Sequence, residues 1–460
     1  MLPSDIQNKK VTILGSERSG MGAAKLLHQF GAQILVSEKD ALKFTAEKRE
    51  LLASMNAKFE FGYHSDDVLD ADFVVVSPGI PENAEIMIKI REKGLPLYSE
   101  VEMASWFITE PIIAVTGSNG KTTTVNLIHH LLRECGIPSF LGGNVGQAIS
   151  EVILERQAQE EITFAVFILE VSSFQLDHID TFHPRVALIL NLSPDHLDRY
   201  ATVEDYYNSK LQIWKNSTSL DIIGYNADDP LLVIAQKPKA THYSFGLNAS
   251  PDLLATVKNH QLGFLSNDVF ESVIAENELP IPGAHNTSNA LAAILAISPF
   301  IDDPAAIGSA LKSFQPVPHR IEFVATVKGM RFYNDSKATN VASTAVAIQS
   351  FNAPEWVILG GKDKGGEFYT LAVDLAQRAR KVLLVGQATD IIADQLAGTV
   401  AMESVETIER AIDYALENGE SGDVVLLSPG CASYDQFDNY EHRGNFFKST
   451  VLNRKEKFGE

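Results

Sequence analysis

The centre of this sequence is Ile112-Ile113-Ala114-Val115-Thr116-Gly117-Ser118-Asn119-Gly120-Lys121-Thr122-Thr123. Its branched apolar first half is typical of a strand, and its glycine-containing second half indicates a turn. Beyond the turn, apolar residues recur at helical spacing until Cys135-Gly136 ends the pattern. The backbone N–H groups and the helix dipole at such a corner favour a bound anion, whose outer charges Lys121 can reach.

The run Gly120-Lys121-Thr122 matches the end of a phosphate loop, although Val115 stands where that loop usually begins with Gly. The alternative is an ordinary strand-turn-helix corner with a surface lysine. The strand before the turn and the amphipathic helix after it favour the phosphate loop, in which the Thr122 hydroxyl would bind Mg²⁺. The predicted nucleotide-triphosphate site consists of Gly117, Ser118, Asn119, Gly120, Lys121, Thr122 and Thr123.

Length and composition indicate a globular protein of about three domains. The 460 residues are 45% hydrophobic and 21% charged, and 38 Lys and Arg against 59 Asp and Glu give a net charge of −21. This charge argues against nucleic acid or an anionic membrane surface as a partner. Two cysteines fit a reducing compartment, and the polar first ten residues and short apolar runs predict a cytoplasmic protein without membrane insertion.

The N-terminal region predicts one βαβ unit. A strand enters the glycine turn Gly15–Gly20, a helix and a second strand follow, and Glu38 stands where a ribose-binding carboxylate would fall. Gly15 and Gly20 do not complete the dinucleotide pattern G-x-G-x-x-G. We therefore interpret residues 1–99 as a small Rossmann-like α/β domain that binds a nucleotide moiety in a different way.

In the middle region, two continuous apolar runs predict strands that are buried on both faces. The first, Phe164–Leu169, ends in Glu170, a position at which ligands bind in open α/β sheets; a solvated strand-end carboxylate is the alternative. The second, Val186–Leu190, leads to His196 between two aspartates, which is either a metal ligand or a hydrogen-bonded loop histidine. Lys210 lies on the next predicted helix, where most lysines are simply solvated.

The remaining chain predicts a third α/β unit. Gly283–Asn289 precedes a helix predicted at Ala290–Ile297, and its two asparagines are typical of capping and turn chemistry. Phe314–His319, with two prolines, is the best linker candidate. Strands then run into glycine turns at Gly360-Gly361, Gly386 and Gly430. The expected fold is α/β with three domains, of which the central one has a mostly parallel sheet.

Several motifs, in this order along the chain, together resemble those of the Mur ligase family over residues about 11 to 450. They are Thr116–Thr122, Glu170–Leu176, Asp195–Tyr200, His285-Asn286 with Asn289, and Pro318–Arg320. Two further stretches, Asn334–Asn340 and Ser433–Phe437, are most similar to the family member that adds D-glutamate. The chain departs from the family pattern at Ser118, Pro316, Tyr434 and Tyr440, and the tyrosines bear on the shape of the amino-acid pocket.

This resemblance implies an ATP-dependent amide ligase of peptidoglycan synthesis. ATP would phosphorylate the alanyl carboxylate of UDP-N-acetylmuramoyl-L-alanine, and the amine of D-glutamate would then displace phosphate. The implied domains are a UDP-substrate domain at residues 1–99, an ATP-binding phosphate-loop domain at 100–315 and a C-terminal Rossmann-like domain for the amino acid at 316–460. We expect a monomer.

The resemblance also implies roles for individual residues. The catalytic group would be Lys121, Glu170, His196 and Lys210. Thr122 and Glu170 would bind one Mg²⁺, and His196 with a carbamylated Lys210 would bind a second. Further ATP contacts would be Asn289, Arg320, Asp335 and Lys337. His196 would also contact substrate, because the second metal would bridge to the acceptor carboxylate. The glutamate pocket would comprise Thr339, Lys364, Ser433, Tyr434 and Tyr440, and the uridine side Ser16, Glu38, Ser77, Gly79 and Asn144.

Two other functions fit parts of the sequence. One is a different ATP-dependent amino-acid ligase, such as a folylpolyglutamate synthase, against which the first βαβ unit and Asn334–Asn340 argue. The other is a non-catalytic nucleotide-binding switch built from the same modules. Such a switch has no need of Lys121, Glu170, His196 and Lys210 together, because that set serves acyl-phosphate chemistry.

Overall fold

The computed structural model describes residues 2–43, 45–158, 163–195, 199–248, 253–266, 269–281, 283–315 and 317–459. Strands and helices alternate along most of this chain. The strands are β1 (Lys10–Leu14), β2 (Gln33–Glu38), β3 (Lys58–Phe61), β4 (Phe73–Val76), β5 (Leu97–Ser99), β6 (Ile112–Thr116), β7 (Ser139–Gly143), β8 (Val166–Glu170), β9 (Val186–Ile189), β10 (Ile222–Asn226), β11 (Thr241–Gly246), β12 (Leu253–Lys258), β13 (Gln261–Ser266), β14 (Val269–Ala275), β15 (Glu322–Val327), β16 (Met330–Asn334), β17 (Glu355–Gly360), β18 (Ala379–Val385), β19 (Met402–Glu406) and β20 (Val424–Leu427).

The α-helices cover the faces of the sheets formed by these strands. They are α1 (Arg18–Gln29), α2 (Ala46–Ser54), α3 (Glu85–Lys93), α4 (Glu100–Ser105), α5 (Lys121–Glu134), α6 (Ile149–Ala158), α7 (Ser173–Leu176), α8 (Val203–Leu211), α9 (Pro230–Ile234), α10 (Ala284–Ile297), α11 (Pro304–Ser313), α12 (Val341–Ile348), α13 (Ala372–Arg378), α14 (Thr389–Gln395), α15 (Ile408–Asn418) and α16 (Tyr440–Phe458). Within the described ranges, no helix combines the length and the apolar character needed to span a membrane.

The described strands form three sheets, most of whose neighbours are parallel. The first has the order β3-β2-β1-β4-β5 and is parallel throughout. The second has the order β14-β13-β12-β11-β10-β9-β6-β8-β7, in which only β12, β13 and β14 pair antiparallel. The third has the order β15-β16-β20-β17-β18-β19, in which only β15 and β16 pair antiparallel. The predicted α/β fold is therefore confirmed.

The strand order places the carboxyl ends of particular strands together. In the second sheet β6 lies between β8 and β9, and every residue of these three strands is buried. The chain leaves β6 toward β7 on one side and later returns to β9 on the other. The order of strands therefore reverses at β6, and such a reversal opens a crevice for ligands at the carboxyl ends. The turn predicted at 117–120 lies there.

The described chain divides into two compact units. One comprises Met1–Glu278 with Ser288–Ser313, and the other comprises Leu279–Thr287 with Phe314–Glu460. The first two sheets both belong to the first unit, where helices α1, α4 and α6 contribute to a shared apolar core. The boundary expected after residue 99 therefore falls inside a compact unit, and the division into three domains remains a prediction.

Helix α10 corrects one local expectation. It begins at Ala284 rather than at Ala290, because the amides of Asn286 and Thr287 donate to Gly283 O at 2.9 and 3.1 Å and start the first turn. Asn286 and Asn289 therefore lie within the helix and not in a turn before it. Pro316, in the expected linker, lies outside the described residues.

Glu355, the first residue of β17, is an ionisable group in an apolar setting. It is fully buried, and neither carboxyl oxygen has a hydrogen-bond partner among the described residues. Burial raises the pKa of Glu355 from 4.5 to about 8, against the attraction of Arg378. The folded state therefore holds a proton that the unfolded chain releases between these two pH values, so this carboxyl lowers stability as the pH rises from 4.5 to about 8.

Replacement of Glu355 by methionine is expected to remove this pH dependence. The difference in the free energy of unfolding between the variant and the wild type should increase in favour of the variant by on the order of 4 kcal/mol between pH 5 and pH 9. Chemical denaturation at the two pH values measures the change. Glu417→Met, at an exposed glutamate on α15, is the control. It should leave the slope of the free energy of unfolding against pH as in the wild type. Equal slopes for wild type and Glu355→Met would show that the carboxyl is not protonated in the folded protein.

Candidate active site

The turn after β6 is held by hydrogen bonds from the Lys121 side chain to two backbone oxygens of the turn. Lys121 Nζ donates to Gly117 O at 2.7 Å and to Ser118 O at 3.0 Å. The segment after β9 fixes the same turn, because Asn119 N donates to Asn191 Oδ1 at 2.8 Å and Ser118 Oγ donates to Ser193 O at 2.8 Å. The turn is thus held in a defined shape at the N-terminus of α5, with Lys121 over it.

Gly120 is the residue at which this turn requires glycine. It precedes α5 with φ +84°, and a Cβ there would collide with Asn289 Oδ1. Thr124 Oγ1 donates to the same oxygen at 3.3 Å. Asn289, which the sequence assigned to ATP, therefore packs directly against the turn. Backbone N–H groups at a helix start, a close glycine and a nearby lysine are the features that fit a bound phosphate chain.

Glu170, at the end of β8, faces the start of α5. It is almost fully buried. Thr122 Oγ1 donates to its Oε2 at 2.8 Å, and Asn144 Nδ2 donates to its Oε1 at 2.8 Å. A hydroxyl and a carboxylate are oxygen ligands of the kind that Mg²⁺ prefers, so this pair fits a magnesium ion. Asn144, expected on the uridine side, is held by Glu170, and its assignment to the uridine nucleotide remains a prediction.

Lys210, expected by default to be solvated, is instead 2% exposed. Its Nζ donates to Gly117 O at 3.0 Å and lies 4.5 Å from the centre of the Tyr206 ring. Burial, reinforced by the charge of Lys121, holds the pKa of Lys210 well below its ordinary value. A neutral amine is the form that reacts with CO₂, so the site fits carbamylation. Gly117 O accepts from both lysines, which places the two amines side by side.

The metal set implied by the sequence is only partly visible. His196 lies outside the described residues. Within the described ranges, no group of three or more His, Cys, Asp or Glu side chains is arranged to hold a metal ion. The pair formed by Thr122 and Glu170 and the buried Lys210 are the described members of the predicted set, and their metal-binding roles remain predictions.

Four of the five residues predicted for the uridine nucleotide, Ser16, Glu38, Ser77 and Gly79, lie in or after strands of the first sheet. Glu38 Oε2 accepts from Ser16 N at 2.9 Å and from Ser16 Oγ at 3.1 Å. Although burial acts to raise the pKa of Glu38, hydrogen bonds from the amides of Asp40 and Ser16 hold it below its ordinary value. Ser77, at the end of β4, has a buried hydroxyl without a partner among the described residues. That hydroxyl is a polar group available to a ligand.

The turn that contains Gly79 is held by a residue that the sequence analysis missed. Arg199 donates to the carbonyl oxygens of Pro78, Gly79 and Ile80 at 3.1, 3.3 and 2.9 Å, and its guanidinium lies 4.5 Å from the centre of the Phe174 ring. It belongs to the motif Asp195–Tyr200. An arginine in a conspicuous polar motif was the available signal.

The second compact unit contains the remaining predicted ATP contacts. Asp335 follows β16, where Ser428 Oγ donates to its Oδ2 at 2.8 Å and Ile321 N donates to its Oδ1 at 3.3 Å. Burial raises the pKa of Asp335 to about 7, against these hydrogen bonds and the charge of Arg320. Lys337 Nζ lies 5.3 Å from the centre of the Tyr440 ring. Arg320 and Lys337 therefore both lie near groups predicted to contact substrates.

The residues predicted for the amino acid lie after three neighbouring strands of the third sheet. Thr339 follows β16, Ser433 and Tyr434 follow β20, and Lys364 follows β17, and these strands adjoin in the order β16-β20-β17. Parallel strands bring their carboxyl ends to one edge. Ser433 is buried, whereas Lys364 is exposed and Tyr434 is 67% exposed.

Three residues that contact the phosphate-loop turn were assigned no role from the sequence. Asn191 and Ser193 follow the buried strand β9 and brace the phosphate-loop turn. Tyr206 lies under Lys210, and its hydroxyl donates to Ser118 Oγ at 3.4 Å. The position of Asn191 after a strand predicted to be buried was a usable signal. Tyr206 has no such signal, because its role depends on which turn α8 packs against.

Comparison with known proteins places each region of the chain. Three family models match the chain: the MurD N-terminal domain at residues 10–86, the Mur ligase middle domain at 115–297, and the Mur ligase glutamate ligase domain at 319–431. Among solved structures, the MurF ligase from Thermotoga maritima in complex with ADP superposes with a TM-score of 0.62 at 18% identity, covering 92% of this chain and 96% of that one. This is a likeness of fold.

Two curated relatives are similar along nearly their whole length, and both are named UDP-N-acetylmuramoylalanine–D-glutamate ligase. The relative from Salinibacter ruber is 37% identical over 463 residues, which cover 98% of this chain and 99% of the relative. The relative from Koribacter versatilis is 37% identical over 455 residues, with coverage of 98% and 99%. The resemblance inferred from the motifs is thereby confirmed, and the chain belongs to the Mur ligase family.

Proposed function

We propose that this protein is an ATP-dependent ligase that joins D-glutamate to UDP-N-acetylmuramoyl-L-alanine during peptidoglycan synthesis, in the cytoplasm. The observation that carries the chemistry is the convergence of Lys121 and Lys210 on Gly117 O beside the pair formed by Thr122 and Glu170. The choice of substrates rests on the names of relatives that are similar over the full length.

The reaction has to overcome the inertness of a carboxylate toward an amine. Transfer of the γ-phosphoryl group of ATP to the alanyl carboxylate makes an acyl phosphate and releases ADP. The neutral D-glutamate amine then attacks the acyl carbon, phosphate leaves with the electron pair of the broken C–O bond, and the nitrogen loses a proton to give the amide. Positive charge held near the transferred group lowers the barrier, because the charge of the phosphoryl oxygens needs compensation. Lys121 supplies a full charge, and the N–H groups at the start of α5 supply partial charges.

Thr122 and Glu170 would hold Mg²⁺, which supplies charge neutralisation to the phosphates. Asn144 holds the other carboxyl oxygen of Glu170 and so fixes the orientation of the carboxylate. Lys210 would serve as a carbamate, since addition of its neutral amine to CO₂ with loss of a proton gives a carboxylate-like ligand. The burial and lowered pKa of Lys210 support this modification.

The uridine nucleotide is proposed to bind at the carboxyl edge of the first sheet. The hydroxyl of Ser77, which has no hydrogen-bond partner among the described residues, offers a donor at that edge, and the carboxylate of Glu38 offers an acceptor. The amino acid is proposed to bind at the carboxyl edge of the third sheet, where Lys364 would pair with one carboxylate and Ser433 would donate to the other.

The deciding experiment measures phosphate release with ATP and UDP-N-acetylmuramoyl-L-alanine while the amino acid is varied among D-Glu, L-Glu, L-Lys and meso-diaminopimelate. Release only with D-Glu supports the proposal. Equal release with L-Lys or meso-diaminopimelate would identify a different member of the Mur ligase family. Release with L-Glu only after a folate replaces the UDP substrate would identify a ligase of the folylpolyglutamate synthase type. Nucleotide binding without release under any condition would favour a switch.

Substitution of Lys364 by alanine tests the amino-acid side. Because a substrate carboxylate would lose its charge partner, we expect a loss of roughly 1–3 kcal/mol or more of binding, seen as a raised KM for D-Glu. The KM for ATP should change much less. Lys457→Ala, at an exposed lysine in the last turn of α16, is the control. A rise in the two KM values by the same factor would remove Lys364 from the glutamate site.

A further inference from the structure

Arg443, in the first turns of α16, is a buried cation that faces backbone rather than carboxylates. The residue is 2% exposed. Its Nε donates to Ser336 Oγ at 2.9 Å and its Nη2 to Ser336 O at 2.8 Å. Its Nη1 and Nη2 both donate to Cys431 O at 3.1 Å. One guanidinium therefore binds the segment that follows β16 and the segment that follows β20.

A third segment approaches the same guanidinium. A Cβ placed on Gly361, which follows β17, would collide with Ala432 O and would lie 3.2 Å from Arg443 Nη1. Lys362 N donates to Ala432 O at 2.8 Å, and Ala432 N donates back to Lys362 O at 3.1 Å. The segments directly after β16, β20 and β17, here called the strand exits, are thus held together by hydrogen bonds and close contacts, and Arg443 lies where they meet.

The charge of Arg443 is retained in this setting. Burial lowers its pKa from 12.5 to about 10, while Cys431, Asp435 and Asp335 act in the opposite direction. At neutral pH the guanidinium therefore carries its full charge. The four hydrogen bonds end on carbonyl and hydroxyl oxygens of Ser336 and Cys431. Because the guanidinium is planar and its N–H groups point in fixed directions, it fixes the distance between these two residues. A lysine ammonium has no such fork and could not span the two exits with the same geometry.

Each of the three segments that follow β16, β20 and β17 carries residues predicted to contact ATP or the amino acid. Ser336 lies between Asp335 and Lys337, Cys431 lies two residues before Ser433, and Gly361 lies three residues before Lys364. Arg443 is in the apolar stripe of α16, at helical spacing with the buried residues Phe447 and Val451. A charge at a core position of a helix costs desolvation free energy, which a purely structural position would avoid with an apolar residue.

We propose that Arg443 is a positioning residue that sets the spacing of the three strand exits and thereby the affinity for the amino acid. This inference rests on the proposed function, because it takes Lys364 and Ser433 as the amino-acid side. Arg443 would not touch the substrate. It would act through Ser336 and Cys431 on residues that do.

The test compares Arg443→Lys and Arg443→Gln with Arg454→Gln. Arg454 is on the same helix, where it pairs with Asp413 at 2.6 Å and Glu409 at 2.8 Å, and it contacts none of the three exits through these pairs. We expect both Arg443 variants to raise the KM for D-Glu by about tenfold or more. The KM for UDP-N-acetylmuramoyl-L-alanine should stay within about twofold, and Arg454→Gln should leave both values unchanged.

Hydrogen exchange supplies a second readout that needs no turnover. Amides of residues 335–340, 361–367 and 430–437 should exchange about tenfold faster in Arg443→Lys than in the wild type, and not in Arg454→Gln. Unchanged exchange in these segments overturns the inference, as does a fall in kcat with all KM values unchanged, which is the result of a merely smaller folded fraction. If wild-type protein does not use D-Glu, the proposed function has failed, and the exchange result still decides the role of Arg443.

Discussion

Replacing Lys121 with alanine is expected to lower kcat by about 10²–10³-fold, or roughly 3–4 kcal/mol of transition-state stabilisation. Lys121 places a full positive charge over the phosphate-loop turn, where Nζ lies 2.7 Å from Gly117 O and 3.0 Å from Ser118 O. Neither oxygen repels an incoming phosphate as a carboxylate would, so the ammonium can exchange these carbonyl oxygens for phosphate oxygens. Steady-state phosphate release measures the effect.

Two further measurements separate this prediction from a general loss of structure. Binding of UDP-N-acetylmuramoyl-L-alanine should survive, because the residues proposed for it lie at the edge of the first sheet and not at the turn. Lys312→Ala, which removes an exposed lysine paired with Glu278 at 2.7 Å, should keep wild-type turnover. If Lys121→Ala retained turnover within about tenfold of the wild type, the phosphate-loop assignment would be wrong.

The sequence predicted the elements that depend on local pattern. The run from Ile112 to Thr123 forms β6, the turn and the start of α5 as expected, and α5 ends at Glu134, just before Cys135-Gly136. Periodicity and glycine positions determine such features within a few residues of chain. The α/β class and the family followed from the same local signals, because each motif is a strand exit with its own polar residues.

What escaped prediction depends on long-range order. Asn144 contacts Glu170 because β7 pairs with β8 at the edge of the second sheet. No single motif predicts the order of strands, so this contact could not be predicted. Lys210 is buried because α8 turns the face that carries Tyr206 and Ser209 inward, which a mixed pattern of polar residues does not reveal. Arg443 looks like a surface residue until the three strand exits are seen to meet on it.

The second large effect is expected at Lys210. Replacement by alanine should leave the enzyme nearly inactive, with a loss greater than the roughly 10–100-fold that removal of an outer-shell partner of a metal ligand costs. The reason is that a carbamate on Lys210 would bind metal directly. Phosphate release in the presence of both substrates measures the loss. Lys215→Ala is the control, since Lys215 is a partly exposed lysine that lies 3.9 Å from Asp180 and should be dispensable for turnover.

Three observations would tie this loss to a carbamate rather than to packing. Acetate added to Lys210→Ala should restore part of the activity, because a small carboxylate fits the space left by the side chain and offers the same oxygen ligands. Wild-type protein in ¹³C-labelled bicarbonate should show a carbamate carbonyl signal that Lys210→Ala lacks and Lys215→Ala keeps. Burial lowers the pKa of the Lys210 amine and so raises the fraction of neutral amine that can react with CO₂. The signal should therefore form without nucleotide. A free amine on Lys210 in fully active enzyme would exclude the carbamate and leave Lys210 as a second cation on Gly117 O.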